Sequence, residues 1–543
     1  MQELFGNKRR DGGRVFALAV SLVTLVFACL PLFSVNCIQG HDIDYHLLRI
    51  EALKTGILNG APFLRVNMLF FGGEGYASSM FYPDFLLYIP SVLRSMGAGI
   101  GLSYHIFVAF CVIAAFVSMY FCALYISENT TAALISAVCY TLCQYHMDDI
   151  YTRAAVGEFT AFIFIPFVAA GLYDLTEKDF KKPWLIMAGM AGTLLCHTLT
   201  TVFCILFCIG YLIVRARVFM KKPELLLKLF LAALVTAALT CFYWLPVMEQ
   251  MSLMEFKYAE SIFDVDYEKL LLREIFENSA GRMGIALIIL LFPAFLIKHG
   301  EDEKVRTADI FALAGIVFTL FTTGLFPWKR LSGLVSAVQF PWRLFIMSCL
   351  LFSLAAGIYI AKAAEKKELA VILVLSVMTV SAVANLNRTE EGYYSYSDDY
   401  YNEVKFTKSV IGGEWLPKAV SDRNKLGNDR DTAFDAEGRD HEALRQGNAV
   451  TVSSLNSAYV DVPLIFYPGY SAEDGQGRTL KVDGSGKNGC VRVYTGGSDS
   501  VRVYYGGTVL QKAADIISLL SLLLIIAALV FKGKKSGEKA GKE

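Results

Sequence analysis

The sequence is poor in charge: only 18% of its 543 residues are charged and 55% are hydrophobic, where an ordinary soluble domain carries roughly 25% charge. Bilayer rather than water is therefore its main solvent. Neither sign dominates, with Lys plus Arg at 50 and Asp plus Glu at 50, so no global field points to nucleic acid or to an acidic partner. There is no CxxC pair and no zinc spacing. Most of the 12 cysteines lie in apolar runs, where a thiol behaves as a small hydrophobe. Cys490 in the polar tail and Cys37 are the outer-side thiols, which excludes a disulfide framework and leaves room for a single Cys37–Cys490 bridge. The sequence also lacks a Walker loop, HExxH and GxSxG.

What it has instead is long apolar runs. A hydrocarbon core about 30 Å thick takes about 20 apolar residues per helical span. About 12 runs qualify, near 15–34, 103–125, 131–146, 157–175, 183–198, 200–214, 227–247, 283–298, 308–326, 339–361, 368–386 and 513–531. Lys8, Arg9, Arg10 and Arg14 precede the first run, which has no Ala-x-Ala cleavage site after it and reads as a retained signal anchor with a cytoplasmic N-terminus. Counting spans from there sends Lys178, Lys181 and Lys182, then Arg215 to Lys222, Lys298 to Arg306, Lys362 to Lys367 and Lys532 to Lys535 to the cytoplasmic side, as the positive-inside bias requires. The C-terminus is then cytoplasmic, and segments 35–102, 147–156, 248–282, 327–338 and 387–512 lie outside.

The expected architecture is an all-α polytopic membrane domain over 1–386, with a long first outer loop at 35–102. An extracytoplasmic, mainly β domain follows at 387–512, then the last span and a basic tail at 513–543. Leu47, Ile50, Leu53 and Ile57 fall on one helical face that stops at Asn59-Gly60, which fits a helix lying at the membrane surface. In the tail, Val491, Val493, Val501, Val503 and Tyr505 alternate in strand fashion around Gly496-Gly497, and the two VRVY segments fit one hairpin.

Ionisable residues cluster in the predicted outer segments. The first outer loop opens with His41-Asp42-Ile43-Asp44-Tyr45-His46-Leu47-Leu48-Arg49, where Asp42, His46 and Arg49 share a face at i, i+4 and i+7 on a helix. A carboxylate here can take a proton from an acceptor hydroxyl or hold a divalent metal, with Asp42 and Asp44 as the candidate ligands, and Arg49 can fork onto a phosphate. The plain alternative makes Asp42 a helix cap and Arg49 a snorkelling surface charge. A second patch runs from Gln144 through Asp148 and Asp149 to Arg153, with Glu158 just inside the next span. An arginine on the outer side opposes the positive-inside bias, so Arg153 either binds an anion or pairs with Glu158 or Asp149. His197 in Cys196-His197-Thr198 sits at a predicted outer hairpin tip, as ligand or as cap. Arg343 in Gln339-Phe340-Pro341-Trp342-Arg343 opens a later span, facing a cavity or anchoring at the interface.

The order of HDIDYHLLRI, YTRAAVGEF, CHTLTT, QFPWR, GEWLP and FYPGY resembles the bacterial YfhO-like membrane proteins and the related group labelled 6-pyruvoyl-tetrahydropterin synthase-related. More broadly, the layout resembles the GT-C class of membrane glycosyltransferases. That resemblance implies transfer of a sugar from a polyprenyl-phosphate donor to a cell-envelope polymer on the outer face. It places Asp42 or Asp44 as catalytic base, and His46, Arg49, Arg153, Glu158, His197 and Arg343 about the substrate. The pterin label carries no activity here, because neither a soluble synthase domain nor a histidine triad is present. The competing expectation is non-catalytic: a transporter or flippase of lipid-linked precursors, or an assembly scaffold that binds through its tail. Few charges fall in mid-span, which speaks against transport.

Overall fold

The computed structural model describes residues 2–257, 265–386, 392–395 and 412–540. The chain forms two compact units that do not follow chain order. The first comprises Met1–His46, Ile100–Ala233 and Ile262–Tyr396, and the second Leu47–Gly99, Leu234–Ser261 and Ser397–Glu543. Most of segment 35–102 thus groups with the tail domain rather than with the helices that flank it in sequence.

The first unit is helical. Phe345–Ala363 is buried along almost its whole length and packs against Thr130–Leu142 and Glu303–Phe321. Small residues set the spacing of these helices, as membrane packing favours. A Cβ on Gly357 would lie 2.5 Å from the Ala132 carbonyl oxygen, and one on Gly315 would lie 2.5 Å from the Phe352 ring. Gly189 meets Val168 in the same way, at 2.7 Å. Side-chain caps fix two starts: Asn129 accepts from the Ala132 N–H at 3.0 Å and Asp302 from the Lys304 N–H at 2.8 Å.

Among the described residues, five helices are long and apolar enough to cross a membrane: Ile100–Ser127, Val156–Glu177, Pro341–Ala363, Lys367–Leu386 and Val509–Val530. A sixth is counted if Glu224–Leu239 and Cys241–Leu253, bent by 75° at their junction, form one broken span. Other expected spans are present as shorter apolar helices, including Gly12–Ala28, Trp184–Leu194 and Thr198–Val214. Two depart further from expectation. The run at 283–298 is a four-residue helix, Ala286–Ile289, followed by a 3-10 turn, Phe292–Leu296. Pro293 has no N–H to give to the preceding turn, and Gly284 enters the segment at φ +72°. The run at 131–146 stops at Leu142, Cys143 is extended, and a new helix, Gln144–Tyr151, sets off in another direction.

The second unit holds a nine-stranded antiparallel sheet. Val450, Val452, Val460, Val462, Val491, Val493, Val501 and Val503 are buried in it, as strand alternation requires. The two VRVY strands do not form a hairpin. Cys490–Tyr494 pairs with Tyr459–Ile465 and Val482–Asp483, whereas Ser500–Tyr505 pairs with Ala449–Ser453 and Tyr470–Asp474. Each is an interior strand that needs a partner on both sides, and Gly496-Gly497 carries the chain across rather than back. Two turns are built alike. In Asp435–Arg439 and Asp474–Arg478, the aspartate Oδ1 accepts from the backbone N–H of the arginine, at 2.8 and 2.9 Å, and Oδ2 accepts from its Nε, at 2.8 and 2.6 Å. The motifs GEWLP and FYPGY are packing knots of this unit: Trp415 stacks on Phe81 with centroids 4.5 Å apart, and Tyr467 Oη donates to the Trp415 carbonyl at 3.0 Å. The Cys37–Cys490 bridge does not form; all 12 cysteines are free thiols.

Candidate functional site

The break at Cys143 builds the centre of the site. It turns Gln144–Tyr151 so that Tyr145, Asp148 and Asp149 face the loop that follows, and Gln144 holds the new direction by donating to the carbonyls of Glu277 and Ser279 at 3.0 and 3.1 Å. Loop 152–155 then reverses the chain through Ala154, whose φ of +51° is a strained conformation for a residue with a Cβ. Strain of this kind concentrates at functional sites. Gln339, on the other side of the site, is also left-handed at φ +59°.

These turns bring Arg153 against two acids. Its guanidinium pairs with Asp149 and makes two bonds to Glu158, at 3.0 and 2.8 Å, while its face lies over the Trp342 ring, 4.4 Å from the centroid. Tyr145 Oη donates to Glu158 at 2.7 Å. Arg343 Nε lies 3.1 Å from Glu158 Oε1, and its Nη1 donates to Gln339 Oε1 at 2.8 Å. His197 starts the helix Thr198–Val214, with its Nδ1 2.8 Å from Thr200 Oγ1, and lies within electrostatic reach of Glu158, Arg343 and Arg153. Asp149 and Glu158 are both buried, and Asp149 Oδ2 has no hydrogen-bond partner among the described residues. Burial pushes the Asp149 carboxyl well above its ordinary range, the neighbouring Glu158 pushes the same way, and Arg153 pulls against both. Asp148 binds the far side of the loop, accepting from the Gly281 N–H at 2.8 Å, Thr152 Oγ1 at 3.1 Å and Asn385 Nδ2 at 3.3 Å. Burial outweighs those bonds and raises its carboxyl to about 6.

The start of segment 35–102 docks on the same turn. His41 N–H donates to the Thr152 carbonyl at 3.0 Å and Asp42 N–H to the Arg153 carbonyl at 2.9 Å. Gly40 permits this approach, since a Cβ there would lie 2.7 Å from that of Ala154. Asp42 precedes the helix Ile43–Leu58, and its carbonyl accepts the first helical bond, from His46 N–H at 3.2 Å. Asp42 is open to solvent, while Asp148, Asp149 and Glu158 are buried. Protein crowds its remaining sides, so desolvation raises its carboxyl; Arg153, Arg343 and His41 act to lower it.

The structure therefore brings Asp42, Arg153, Glu158, His197 and Arg343 together. Asp44 is half-buried in the first helical turn, and His46 is buried beside Tyr45. Arg49 belongs to the second unit and is committed there. It is fully buried and bonds Asp84 at 2.6 and 3.1 Å and the Pro83 carbonyl at 2.7 Å, and its guanidinium covers the Tyr82 ring. Asp149 and Glu158 face guanidiniums, and no three His, Cys, Asp or Glu side chains among the described residues converge as metal ligands. This donor set does not suit a divalent ion. Sequence reasoning missed Tyr145, Trp342 and Asn385 as members of the site. The first two lie inside motifs already singled out, and nothing local marks Asn385.

No family model matches the chain. An uncharacterized protein of Lactococcus lactis subsp. cremoris (strain MG1363) is 21% identical over 588 residues, covering 95% of each chain. Three solved structures are similar at low identity. Arabinofuranosyltransferase AftD from Mycobacteria is 12% identical with a TM-score of 0.46, over 68% of this chain and 27% of that one. The oligosaccharyltransferase AglB of Archaeoglobus fulgidus, in complex with an inhibitory peptide and a dolichol-phosphate, is 11% identical with a TM-score of 0.43, over 77% and 60%. ArnT from Cupriavidus metallidurans, bound to undecaprenyl phosphate, is 15% identical with a TM-score of 0.43, over 65% and 61%. The chain thus spans between 27% and 61% of the length of these solved chains.

Proposed function

We propose that the protein is a membrane glycosyltransferase of the GT-C type, which moves a sugar from a polyprenyl-phosphate donor to a cell-envelope acceptor on the outer face. The observation that supports this reading is the solvent-open carboxylate of Asp42, held by backbone hydrogen bonds against a buried arginine–glutamate cluster. In an inverting transfer, Asp42 accepts the proton of the acceptor hydroxyl while that oxygen attacks the anomeric carbon of the donor sugar. The bond from that carbon to the phosphate oxygen breaks, and the polyprenyl phosphate leaves with the electron pair. A carboxyl raised by partial desolvation is a better base near neutral pH than an ordinary one. Arg343, at 16% exposed the more open of the two guanidiniums, is assigned to the leaving phosphate, while Arg153, at 7%, fixes the loop that carries Asp42.

The test is transfer by the purified full chain in lipid vesicles, supplied with polyprenyl-phosphate sugars. Asp42→Asn is expected to lower kcat by about 10²–10⁴-fold, the usual weight of a general base, with KM for the donor little changed. Asp44→Asn is expected to cost far less. Full transfer by the folded Asp42→Asn, Asp44→Asn double variant would overturn the reading. The saturation of Arg153 by Asp149 and Glu158 also suits a non-catalytic scaffold. That alternative is favoured if deleting 387–512 abolishes function while both aspartate substitutions leave it intact.

A further inference from the structure

A cavity of about 180 Å³ lies wholly within the second unit, between the helix carrying Thr55, the loop at Gly72-Gly73, Arg430 in the turn before the strand Thr432–Asp435, Arg445 on the strand Asp440–Gln446 and Asn448 in the turn after it. Its two charged lining side chains are both arginines, and no acid lines it. Arg445 is held rigidly: Nη1 donates to the Gly73 carbonyl at 2.6 Å, and Nη2 donates to those of Arg430 and Pro463 at 2.6 and 3.1 Å. Its Nε is buried and has no hydrogen-bond acceptor among the described residues, the Asp431 carboxylate being 3.6 Å away. Arg430 also turns to Asp431, at 3.0 Å, so two guanidiniums share one carboxylate that stands outside the lining. The Asn448 amide makes no hydrogen bond among the described residues, although it has two donors and an acceptor to offer.

Apart from Thr55, whose hydroxyl donates to the Glu51 carbonyl at 2.9 Å, the rest of the wall is bare or apolar. Gly72 and Gly73 take left-handed conformations, at φ +66° and +105°, and a Cβ on Gly73 would lie 3.4 Å from the Arg445 guanidinium carbon. The volume leaves room for one sugar-sized group. A rigid guanidinium with a free N–H, a second arginine and an uncommitted amide together match an oxyanion carried on a hydroxylated ring.

We propose that this cavity binds a single anionic sugar unit, with its carboxylate or phosphate held by Arg445 Nε and Arg430 and a ring hydroxyl held by Asn448. The proposal rests on the second unit alone and does not depend on the transfer chemistry of Asp42. It is tested by calorimetric titration of the full chain in nanodiscs with glucuronate, glucose 6-phosphate, inorganic phosphate and glucose. At least one of the two anionic sugars is expected to bind ten-fold or more tightly than glucose and more tightly than inorganic phosphate, and the tighter of the two identifies the anion. Arg430→Gln and Asn448→Ala change side chains only and keep the Arg430 carbonyl that accepts from Arg445, and each is expected to weaken that binding about ten-fold without moving the melting transition. Arg445 is left intact because it holds three carbonyls. Equal affinity for glucose and both anionic sugars, no binding of either at millimolar concentration, or unchanged affinity in both variants would overturn the proposal.

Discussion

Replacing Arg153 by Met should be among the most damaging single changes in the first unit. Arg153 is the cation that touches both Asp149 and Glu158, and all three side chains are buried, at 7%, 0% and 3% exposed. The variant loses the ion pair to Asp149, two bonds to Glu158 and the contact with Trp342, and leaves two carboxylates facing each other, with Arg343 as the one guanidinium still at Glu158. Breaking a buried pair from one side costs about 3–5 kcal/mol, because the remaining charge is left uncompensated. At about 1.4 kcal/mol per decade, that is a fall of two to nearly four decades in the folded-to-unfolded ratio. Adding Asp149→Asn removes the carboxylate left without a cation, since Glu158 keeps Arg343, so the Arg153→Met, Asp149→Asn double variant should recover part of the loss, a coupling that a double-mutant cycle measures directly. Equilibrium unfolding in nanodiscs is the assay. A cost below about 1 kcal/mol for Arg153→Met, or strict additivity in the cycle, would refute the claim that this cluster is a charge-matched buried unit.

Asp148 supplies a pH dependence. Burial holds its carboxyl at about 6, against about 3.9 in an unfolded chain. The folded state thus prefers the protonated acid: the contribution is fully present below pH 4 and is lost as pH rises through 6, on the order of 3 kcal/mol in all. Asp148→Asn keeps an acceptor for Gly281 and should flatten the unfolding free energy between pH 4 and pH 6; an unchanged slope would count against it. For transfer itself, a base must be deprotonated, so the wild-type rate should fall as pH drops through a value above the ordinary carboxylate range, as the direction of the Asp42 shift requires. Gly40→Ala places a methyl 2.7 Å from the Ala154 Cβ and 3.0 Å from its backbone nitrogen. It should cost about 1–3 kcal/mol as overpacking does and lower transfer by spreading the loop pair, measured together by melting and by rate. Sidedness is checked with an impermeant thiol reagent on intact cells: Asp429→Cys should label and Lys222→Cys should not.

Much of the protein was legible in one dimension because the bilayer imposes a one-dimensional rule. Apolar length and the placement of Lys and Arg are local properties, so Ile100–Ser127, Pro341–Ala363, Lys367–Leu386 and Val509–Val530 were found from composition alone, close to their observed ends. Alternation identifies the VRVY segments as strands for the same local reason, and Asp42, Arg153, Glu158 and Arg343 stand out as ionisable residues in or beside segments that the charge count predicts to lie on one face. Tertiary structure decided what those residues do. The helix break at Cys143 has no proline or glycine to announce it, yet it aims Asp149 and Tyr145 at Arg153 and Glu158. Which strand each VRVY segment joins, that Arg49 is spent on Asp84, and that Asp42 alone among the clustered acids stays open to solvent all depend on contacts between residues tens to hundreds of positions apart. Periodicity and hydropathy report a residue's preference for a surface. They carry no information about which distant surface it meets, and at this site that choice separates a paired, buried charge from an available one.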